Sequence, residues 1–587
     1  MSSTSPHSDA AAESQPRSQL IILAVLALGL GAFLIIRPTL SLDVLALLVG
    51  AGFLVHGVVI IVHDRESELH GPSWWRRALV FEAVLWVAAG VFVLLHMGLT
   101  VRVLAAVIAA GLLVGGVRTA SGAFRRSIGV DDRVAAGALG AASAILGLLA
   151  LLWPDITLLV AAVAFGARLV IDGCTAGWRA LRGATGPSRG RAPGRMRRFA
   201  RTTAAIASLA LAVAAGAVSV GLHEGSPVVD EFYAPSRDVP DAPGQLIRAE
   251  PFTRGVPEGA IGWRILYTSS RADGTPAVAS GLVVVPENGP GHWPVADWPH
   301  GTTGFGQQCA PSLLEDPFGS GALFVLPEII DRGWALVATD YIGLGTEGPH
   351  PYLIGEDSAR ASLDAVRAAG QLGPADLSTD VVAWGHSQGG GAALWSGASA
   401  ADYSPELTLH GVAALAPAAN LPALVRNLPN VTGGSVFASF VVAAYTENYP
   451  DVTWREYIRP GAEQTVRSMS TRCLSEPGML VSVLDVLALS ADPAIFRDDP
   501  TAGPLGARLA QNVPRATIPA PVLIGQGEAD TLVIPAAQQE YVDEVRAAGG
   551  QIDYRTYPGV DHVPLVEADS PLIPELLAWT DGRFGDS

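Results

Sequence analysis

The chain has 587 residues, of which 49% are apolar, and its mean hydropathy of +0.35 is high for a wholly soluble protein. All 38 basic residues are Arg; against 55 acidic residues they leave a net charge of −17. Residues 1–222 carry +8 of this charge and the remainder −25. Because nucleic acid binding requires a basic face, the acidic C-terminal part excludes nucleic acid as a partner.

The N-terminal third contains seven apolar stretches, each long enough to cross a membrane. A helix needs about 20 mostly apolar residues to span a hydrocarbon core about 30 Å thick. One such stretch is often a buried core helix, but seven in succession with short polar joints predict an all-α polytopic membrane bundle. The stretches are residues 19–36, 43–63, 77–97, 100–122, 133–153, 155–177 and 202–221.

The first six stretches contain a threefold repeat. A run begins near Pro38, Met97 and Pro154, and in each case a Gly follows 19 residues later. The repeated unit is a helical hairpin. Over about residues 18–180 this pattern resembles the HdeD-like family of short-repeat membrane proteins, which implies a six-helix membrane domain and no chemistry of its own.

The distribution of Arg predicts the orientation of these helices, because cytoplasmic loops are enriched in basic residues. The N-terminal tail and alternate loops hold 16 Arg, whereas the remaining joints hold only Arg37 and Arg102. The Arg-rich side is therefore predicted to be cytoplasmic and the C-terminal part extracytoplasmic. The resulting segments are a tail (1–18), a six-helix domain (19–180), an Arg-rich loop (181–201), a seventh helix (202–222) and a linker (223–245).

The seventh helix also fits a second interpretation. Basic residues, an apolar stretch and the small residues Ala215, Gly216 and Ala217 follow one another, as in a secretory signal with its cleavage site. Cleavage near Ala217 would release the C-terminal part from the membrane.

Residues 246–587 show a different pattern, in which short apolar runs alternate with helical segments. Alternation of this kind predicts an α/β fold with a mostly parallel sheet covered by helices. The expected strands are Ile261–Thr268, Val278–Pro286, Val295–His300, Trp334–Thr339, Val381–Trp384, Gly411–Leu415, Pro521–Ile524 and Asp553–Tyr557.

A Gly-x-Ser-x-Gly motif lies between one of these strands and a helix. Gly385 and Gly389 flank Ser387, and side chains at the two flanking positions would clash at the tight turn that exposes such a serine. Ser387 is therefore the candidate nucleophile. A second copy around Ser188 lies in the Arg-rich loop with no strand before it, so we assign it no role.

A serine nucleophile needs a base and an acid, which in this fold follow it in the order acid, then His. Asp530 follows the strand Pro521–Ile524 and is favoured over Glu528 because it lies past the turn. Only His410 and His562 follow Ser387, and His410 precedes an apolar strand where a structural role is expected. The predicted triad is Ser387, Asp530 and His562.

An oxyanion hole needs backbone N–H donors after the nucleophile and in the loop after the third strand. Gln388 supplies the first donor. Thr302, in the segment His300–Gly304, is the preferred second donor, with Thr303 as the alternative. His300 is expected to support this loop.

Several motifs in order resemble the secretory lipase family. They are His300–Gly304 followed by Cys309–Ser312, Asp340–Gly345 leading to His350–Leu353, and Gly385–Gly390. The resemblance covers about residues 230–580. It implies an α/β-hydrolase fold, hydrolysis of acyl esters, a helical cap over the pocket and a structural role for Asp340.

The interval 419–510 fits such a cap, which would form an acyl tunnel or moving lid, or simply cover the sheet edge. Cys309 and Cys473 both lie on the predicted outer side, where oxidising conditions permit a disulfide between core and cap. Cys174 is expected to be a small apolar residue of the sixth helix.

The sequence thus favours a membrane-anchored lipase or carboxylesterase that acts on acyl esters or lipids at the bilayer. An acyltransferase acting on envelope lipids would use the same residues, and a non-catalytic membrane stress or scaffold protein is the third hypothesis. The sequence contains neither a metal-ligand cluster nor a phosphate-binding loop, so no cofactor is expected.

Overall fold

The computed structural model divides the chain into two compact units, essentially residues 1–220 and residues 221–587. It describes residues 17–36, 73–95, 97–124, 129–154, 195–224, 227–235, 239–489, 495–515 and 517–585, together with scattered positions between 47 and 181.

The N-terminal unit is helical wherever it is described at length. The helices are α1 (Arg17–Ile36), α2 (Ser73–Leu95), α3 (Met97–Ser121), α4 (Val130–Leu152) and α5 (Arg195–Glu224). The predicted stretches 43–63 and 155–177 lie mostly outside the described residues. Helix α5 begins at Arg195, so the end of the predicted Arg-rich loop is helical.

Two segments of these helices, Val130–Leu152 and Phe199–Leu222, are long and apolar enough to cross a membrane. Small residues let α3 and α4 approach closely. A Cβ added at Gly140 would lie 2.4 Å from the backbone nitrogen of Ala120, and one added at Gly116 would lie 2.8 Å from the carbonyl oxygen of Gly140. Close packing through small residues is typical of helices in membranes.

The C-terminal unit is built on a nine-stranded sheet in the order β1-β2-β3-β5-β4-β6-β7-β8-β9. The pairs β1–β2, β2–β3 and β3–β5 are antiparallel, and all other pairs in this sheet are parallel. The strands are β1 (Leu246–Phe252), β2 (Ala260–Ser270), β3 (Pro276–Pro286), β4 (Trp293–Pro299), β5 (Ala335–Ile342), β6 (Leu377–His386), β7 (Thr408–Leu415), β8 (Val522–Gly527) and β9 (Ile552–Tyr557).

Every predicted strand is present, but strand β1 is an addition that the sequence analysis missed. Its residues include Arg248, Glu250 and Pro251, so it lacks the alternation of apolar and polar residues that predicts a strand. Such a strand is tolerated at a sheet edge, where one side faces solvent.

Helices cover both faces of the sheet, because alternate residues of the central strands point to opposite sides. Helices α6 (Leu326–Asp331) and α16 (Leu572–Phe584) pack on one face. The other face is covered by α7 (Gly355–Ala369), α8 (Gln388–Tyr403) and α15 (Pro535–Ala547). This is the α/β-hydrolase fold that the motifs imply.

Among the described residues between β7 and β8, in the interval where the cap is expected, there are six helices. They are α9 (Leu421–Asn427), α10 (Gly434–Asn448), α11 (Trp454–Tyr457), α12 (Pro460–Ser470), α13 (Met479–Leu489) and α14 (Gly503–Gln511). The loops that follow β4, β6, β8 and β9 all leave the same edge of the sheet, because these strands run parallel. That edge carries the candidate site.

Candidate active site

Ser387 occupies a tight turn between β6 and α8. Its backbone has φ +57° and ψ −117°, and its N–H donates to the carbonyl oxygen of Leu415 at 2.9 Å. A Cβ at Gly385 would lie 2.1 Å from the carbonyl oxygen of Gly389, and one at Gly389 would lie 2.0 Å from that of Pro299. Only glycine fits at either position, and the turn therefore lifts the serine to the sheet edge.

His562 lies between Ser387 and Asp530. Its Nε2 is 2.9 Å from the hydroxyl oxygen of Ser387, and its Nδ1 is 2.7 Å from Oδ2 of Asp530. The other carboxylate oxygen accepts the backbone N–H groups of Leu532 and Val533, each at 2.9 Å. The Asp530 side chain is fully buried and fixed in place, so it can hold the imidazole with Nε2 free to take a proton from the serine.

The two alternatives to these residues lie elsewhere. Glu528 is exposed and accepts a hydrogen bond from the hydroxyl of Thr556 at 2.9 Å. His410 lies on β7, where its Nε2 is 2.8 Å from Oδ1 of Asp380. Neither side chain is brought to Ser387.

His386, the residue before Ser387, supports His562 and was not singled out from the sequence. Its Nε2 donates to the carbonyl oxygen of His562 at 3.0 Å, and the two ring centres are 4.6 Å apart. Burial, aided by the neighbouring His562, holds the pKa of His386 well below its usual value. His386 is therefore neutral and adds no positive charge beside the base.

Gln526 is a second residue that the sequence analysis missed. It is fully buried on β8, and its Nε2 donates to Oδ2 of Asp530 at 3.2 Å and to the carbonyl oxygen of Val533 at 3.0 Å. A polar side chain inside an otherwise apolar strand was the available signal, because buried polar groups are normally hydrogen-bonded to a specific partner.

The residues predicted to supply the oxyanion donors both line the cavity at Ser387. Gln388 is the first residue of α8, where the backbone N–H groups have no partner within the helix, and Thr302 follows β4 and lines the same cavity as Ser387. The hydroxyls of Thr302 and Tyr352 are 3.1 Å apart. The hydroxyl of Thr303 instead donates to the carbonyl oxygen of Cys309 at 2.8 Å, away from the cavity.

His300 and Asp340 are buried behind this loop. The phenol of Tyr341 donates to the carbonyl oxygen of His300 at 3.0 Å, and burial lowers the pKa of His300 to about 4. Asp340 accepts the hydroxyls of Ser280 and Ser312, and burial raises the pKa of its carboxyl. Both residues support the loop, and neither contacts Ser387.

The cavity at Ser387 has a volume of about 330 Å³, including the part open to solvent. Apart from the polar groups around the serine its wall is apolar, formed by Leu353, Ala418, Leu424, Leu428, Phe437, Val441, Leu532 and Val533.

A disulfide joins Cys309 to Cys473, the pair that the sequence analysis expects. Next to it, the backbone N–H of Leu474 donates to the carbonyl oxygen of Thr303 at 2.8 Å. The loop that carries Thr302 is thus tied to the cap. Cys174 is a free cysteine. Among the described residues, no cluster of three or more His, Cys, Asp or Glu side chains could hold a metal ion.

Comparison with known proteins finds a family match in each part of the chain. Residues 320–587 match the secretory lipase family. Residues 22–81 and 138–192 match a short repeat of unknown function. The resemblances indicated by the motifs are therefore confirmed in both regions.

Two curated lipases are similar to the lipase region. A secreted triacylglycerol lipase of Malassezia furfur is 27% identical over 183 residues, which are 29% of this chain and 47% of the relative. This chain thus spans about half the length of that protein. Lipase A of Arthroderma benhamiae is 24% identical over 387 residues, which are 61% of this chain and 80% of the relative.

The closed state of Candida antarctica lipase A is a similar solved structure, with a TM-score of 0.51 and 22% identity. The match covers 61% of this chain and 87% of that one. At this identity the likeness concerns the fold alone, which is that of an α/β-hydrolase.

Proposed function

We propose that residues 246–587 form a serine carboxylester hydrolase, of the lipase or carboxylesterase type, that acts on esters of apolar acyl groups. The observation that carries the proposal is the position of His562, 2.9 Å from the hydroxyl of Ser387 and 2.7 Å from the carboxylate of Asp530. This arrangement stands at an apolar cavity, and the chain is similar to lipases over the same region.

In the first half of the proposed reaction, Oγ of Ser387 attacks the carbonyl carbon of the ester while His562 takes the hydroxyl proton on Nε2. The carbonyl π electrons move to the oxygen, which the backbone N–H groups of Gln388 and Thr302 stabilise. Collapse of this intermediate breaks the bond to the alcohol oxygen, which leaves with the proton from His562. An acyl-enzyme remains.

In the second half, His562 takes a proton from a water molecule, whose oxygen attacks the acyl carbon. The acid leaves, and Ser387 recovers its proton from His562. Asp530 keeps the imidazole oriented throughout, and the two backbone N–H groups that donate to its Oδ1 hold its side chain in place.

The membrane attachment of this enzyme is part of the proposal. We infer that residues 19–180 and 202–222 cross the bilayer, with the N-terminus cytoplasmic and residues 223–587 outside. Support comes from the two long apolar segments of α4 and α5, from the Arg-rich loops and from a disulfide that suits an oxidising compartment. A reporter that works only in the cytoplasm can be fused after residue 225. Activity of that reporter would contradict this topology.

The catalytic proposal is tested on the full chain in membranes with p-nitrophenyl esters ranging from acetate to palmitate. We expect hydrolysis that disappears in Ser387→Ala, and the preferred ester separates an esterase from a lipase. Glycerol added as an acceptor distinguishes hydrolysis, which releases free acid, from acyl transfer. A folded wild type as inactive as Ser387→Ala would refute hydrolysis of these esters.

A further inference from the structure

A second cavity adjoins the one at Ser387. Its empty volume, including the part open to solvent, is about 220 Å³. Ala418, Leu424 and Val533 line both cavities, so the two spaces are neighbours that share these three apolar side chains as a common wall. The remaining wall of the second cavity is formed by Pro417, Ala419, Asn420, Ile534, Ala537 and Gln538.

Gln538, on α15, brings an unsatisfied amide to this second cavity. The residue is 1% exposed, and within the described part of the chain neither its Nε2 nor its Oε1 has a hydrogen-bond partner. The other amide in the wall is engaged, because Oδ1 of Asn420 accepts the N–H of Ala423 and its Nδ2 donates to Glu540. A buried polar group without a partner destabilises the fold, so Gln538 offers one donor pair and one acceptor to a ligand.

The walls of the second cavity restrict the chemistry of that ligand. None of its lining residues is charged, so a carboxylate or ammonium group would be buried without a counter-charge, which is strongly unfavourable. A hydroxyl group both accepts from Nε2 and donates to Oε1, so it can satisfy the two atoms of Gln538 together.

We propose that the acyl chain of the substrate runs from Ser387 through the first cavity to Gln538, and that the enzyme prefers acyl groups bearing a hydroxyl at this depth. The substrate class is then an ester of a hydroxyacyl group, with apolar methylenes beside Ala418, Leu424 and Val533. This inference rests on the proposed ester hydrolysis and adds a specificity-determining residue to it.

The test compares matched pairs of p-nitrophenyl esters, one with an unsubstituted acyl chain and one with a terminal hydroxyl, from butanoate to dodecanoate. The readout is the ratio of kcat/KM within each pair, measured on the full-length protein in detergent. We expect a ratio near one for the shortest pair and about tenfold in favour of the hydroxyl at the length that reaches Gln538, since two net hydrogen bonds are worth about that factor.

Variants at neighbouring positions locate the effect. Gln538→Leu, or Gln538→Met as a second variant of different shape, should bring the ratio to about one at every chain length. Gln539→Leu is the matched control: Gln539 is the next residue on α15, is exposed and donates to Asp543, so its removal should keep the wild-type profile.

The outcomes separate this inference from the proposed function. Hydrolysis that depends on Ser387 but shows a flat ratio at all lengths overturns the preference for hydroxyacyl groups and leaves the esterase standing. If no ester is hydrolysed, the melting temperature of the Ser387→Ala protein is measured with each ester. A larger stabilisation by the hydroxyl member that is lost on adding Gln538→Leu supports the site, and equal stabilisation overturns it.

Discussion

The two regions of this chain differ in where their apolar side chains lie: many are exposed on the N-terminal helices, whereas those of the central sheet are buried. In α5, Leu211 is 73% exposed and Val213 is 53% exposed, whereas Val283 and Val337 in the central sheet are fully buried. Outward-facing apolar surface on long helices suits a hydrocarbon environment, and inward-facing surface suits water. The contrast supports the proposal that the N-terminal region lies in a membrane and that the C-terminal region carries the chemistry.

The largest expected effect concerns the acid of the proposed triad in the C-terminal region. Asp530→Asn should lower kcat by about 10⁴-fold, equivalent to about 5.5 kcal/mol, because the imidazole loses its orientation and charge partner. Glu528→Gln is the matched control and should change kcat little, since Glu528 faces Thr556. Ester hydrolysis by the full chain measures both, and equal losses would contradict the assigned acid.

The next effect concerns the carboxyl group of Asp297, which is fully buried on β4. Burial raises the pKa of Asp297 to about 7, partly offset by hydrogen bonds from the hydroxyl of Ser362. Between about pH 4 and 7 the folded protein therefore holds a proton that the unfolded chain releases, so this residue stabilises the fold at low pH and the contribution is lost as pH rises through the folded pKa. Relative to Asp297→Asn, the wild type should lose up to about 4 kcal/mol over this range.

Unfolding measured at several pH values checks this change in stability. The exposed Asp569, substituted by Asn, provides the control. A difference between the wild type and Asp297→Asn that stays constant from pH 4 to pH 8 would show that the Asp297 carboxyl is not perturbed by burial.

The disulfide provides a third test, with a control from the N-terminal region. Replacing Cys309 and Cys473 together by Ser should lower the free energy of unfolding by about 3 kcal/mol, because the bridge closes a long loop. Cys174→Ser should have no comparable effect, since that cysteine is free. Denaturant unfolding of the C-terminal unit in the full chain measures the change, and similar values for both variants would count against a bridge between core and cap.

The smallest expected effect tests whether α5 crosses the membrane. Leu211→Asp, near the middle of α5, should disfavour insertion by about 2.5 kcal/mol, because a charge is costly in the hydrocarbon core. Val228→Asp lies beyond the helix at a position that is 81% exposed, and should not affect insertion. The exported fraction of a reporter fused after residue 245, at the end of the linker, checks both. An equal loss in the two variants would mean that α5 is not a membrane helix.

Much of the fold and of the proposed triad could be predicted because each depends on local signals. Buried strands are continuous apolar runs, and the turn at Ser387 requires glycine at fixed neighbouring positions. Strand β1 was missed because an edge strand needs no apolar face. Of the helices predicted for the N-terminal region, those at 43–63 and 155–177 lie mostly outside the described residues.

The supporting residues could not be found in this way, because their roles come from contacts across the fold. His386 meets the backbone of His562 across 176 residues of chain. Gln538 is one of two adjacent glutamines in an ordinary helical segment, and only the structure shows that both of its amide atoms lack a partner. Sequence spacing carries no signal for either contact.

The central claim, that Ser387 is the nucleophile, is tested most directly by covalent labelling of the full chain with an alkyl fluorophosphonate. Peptide mapping by mass spectrometry then compares the two Gly-x-Ser-x-Gly motifs in one molecule. We predict a phosphonyl group on the peptide containing Ser387 and none on the peptide containing Ser188, with labelling abolished by Ser387→Ala. A folded protein that stays unlabelled, or carries its label on another serine, would contradict the assignment.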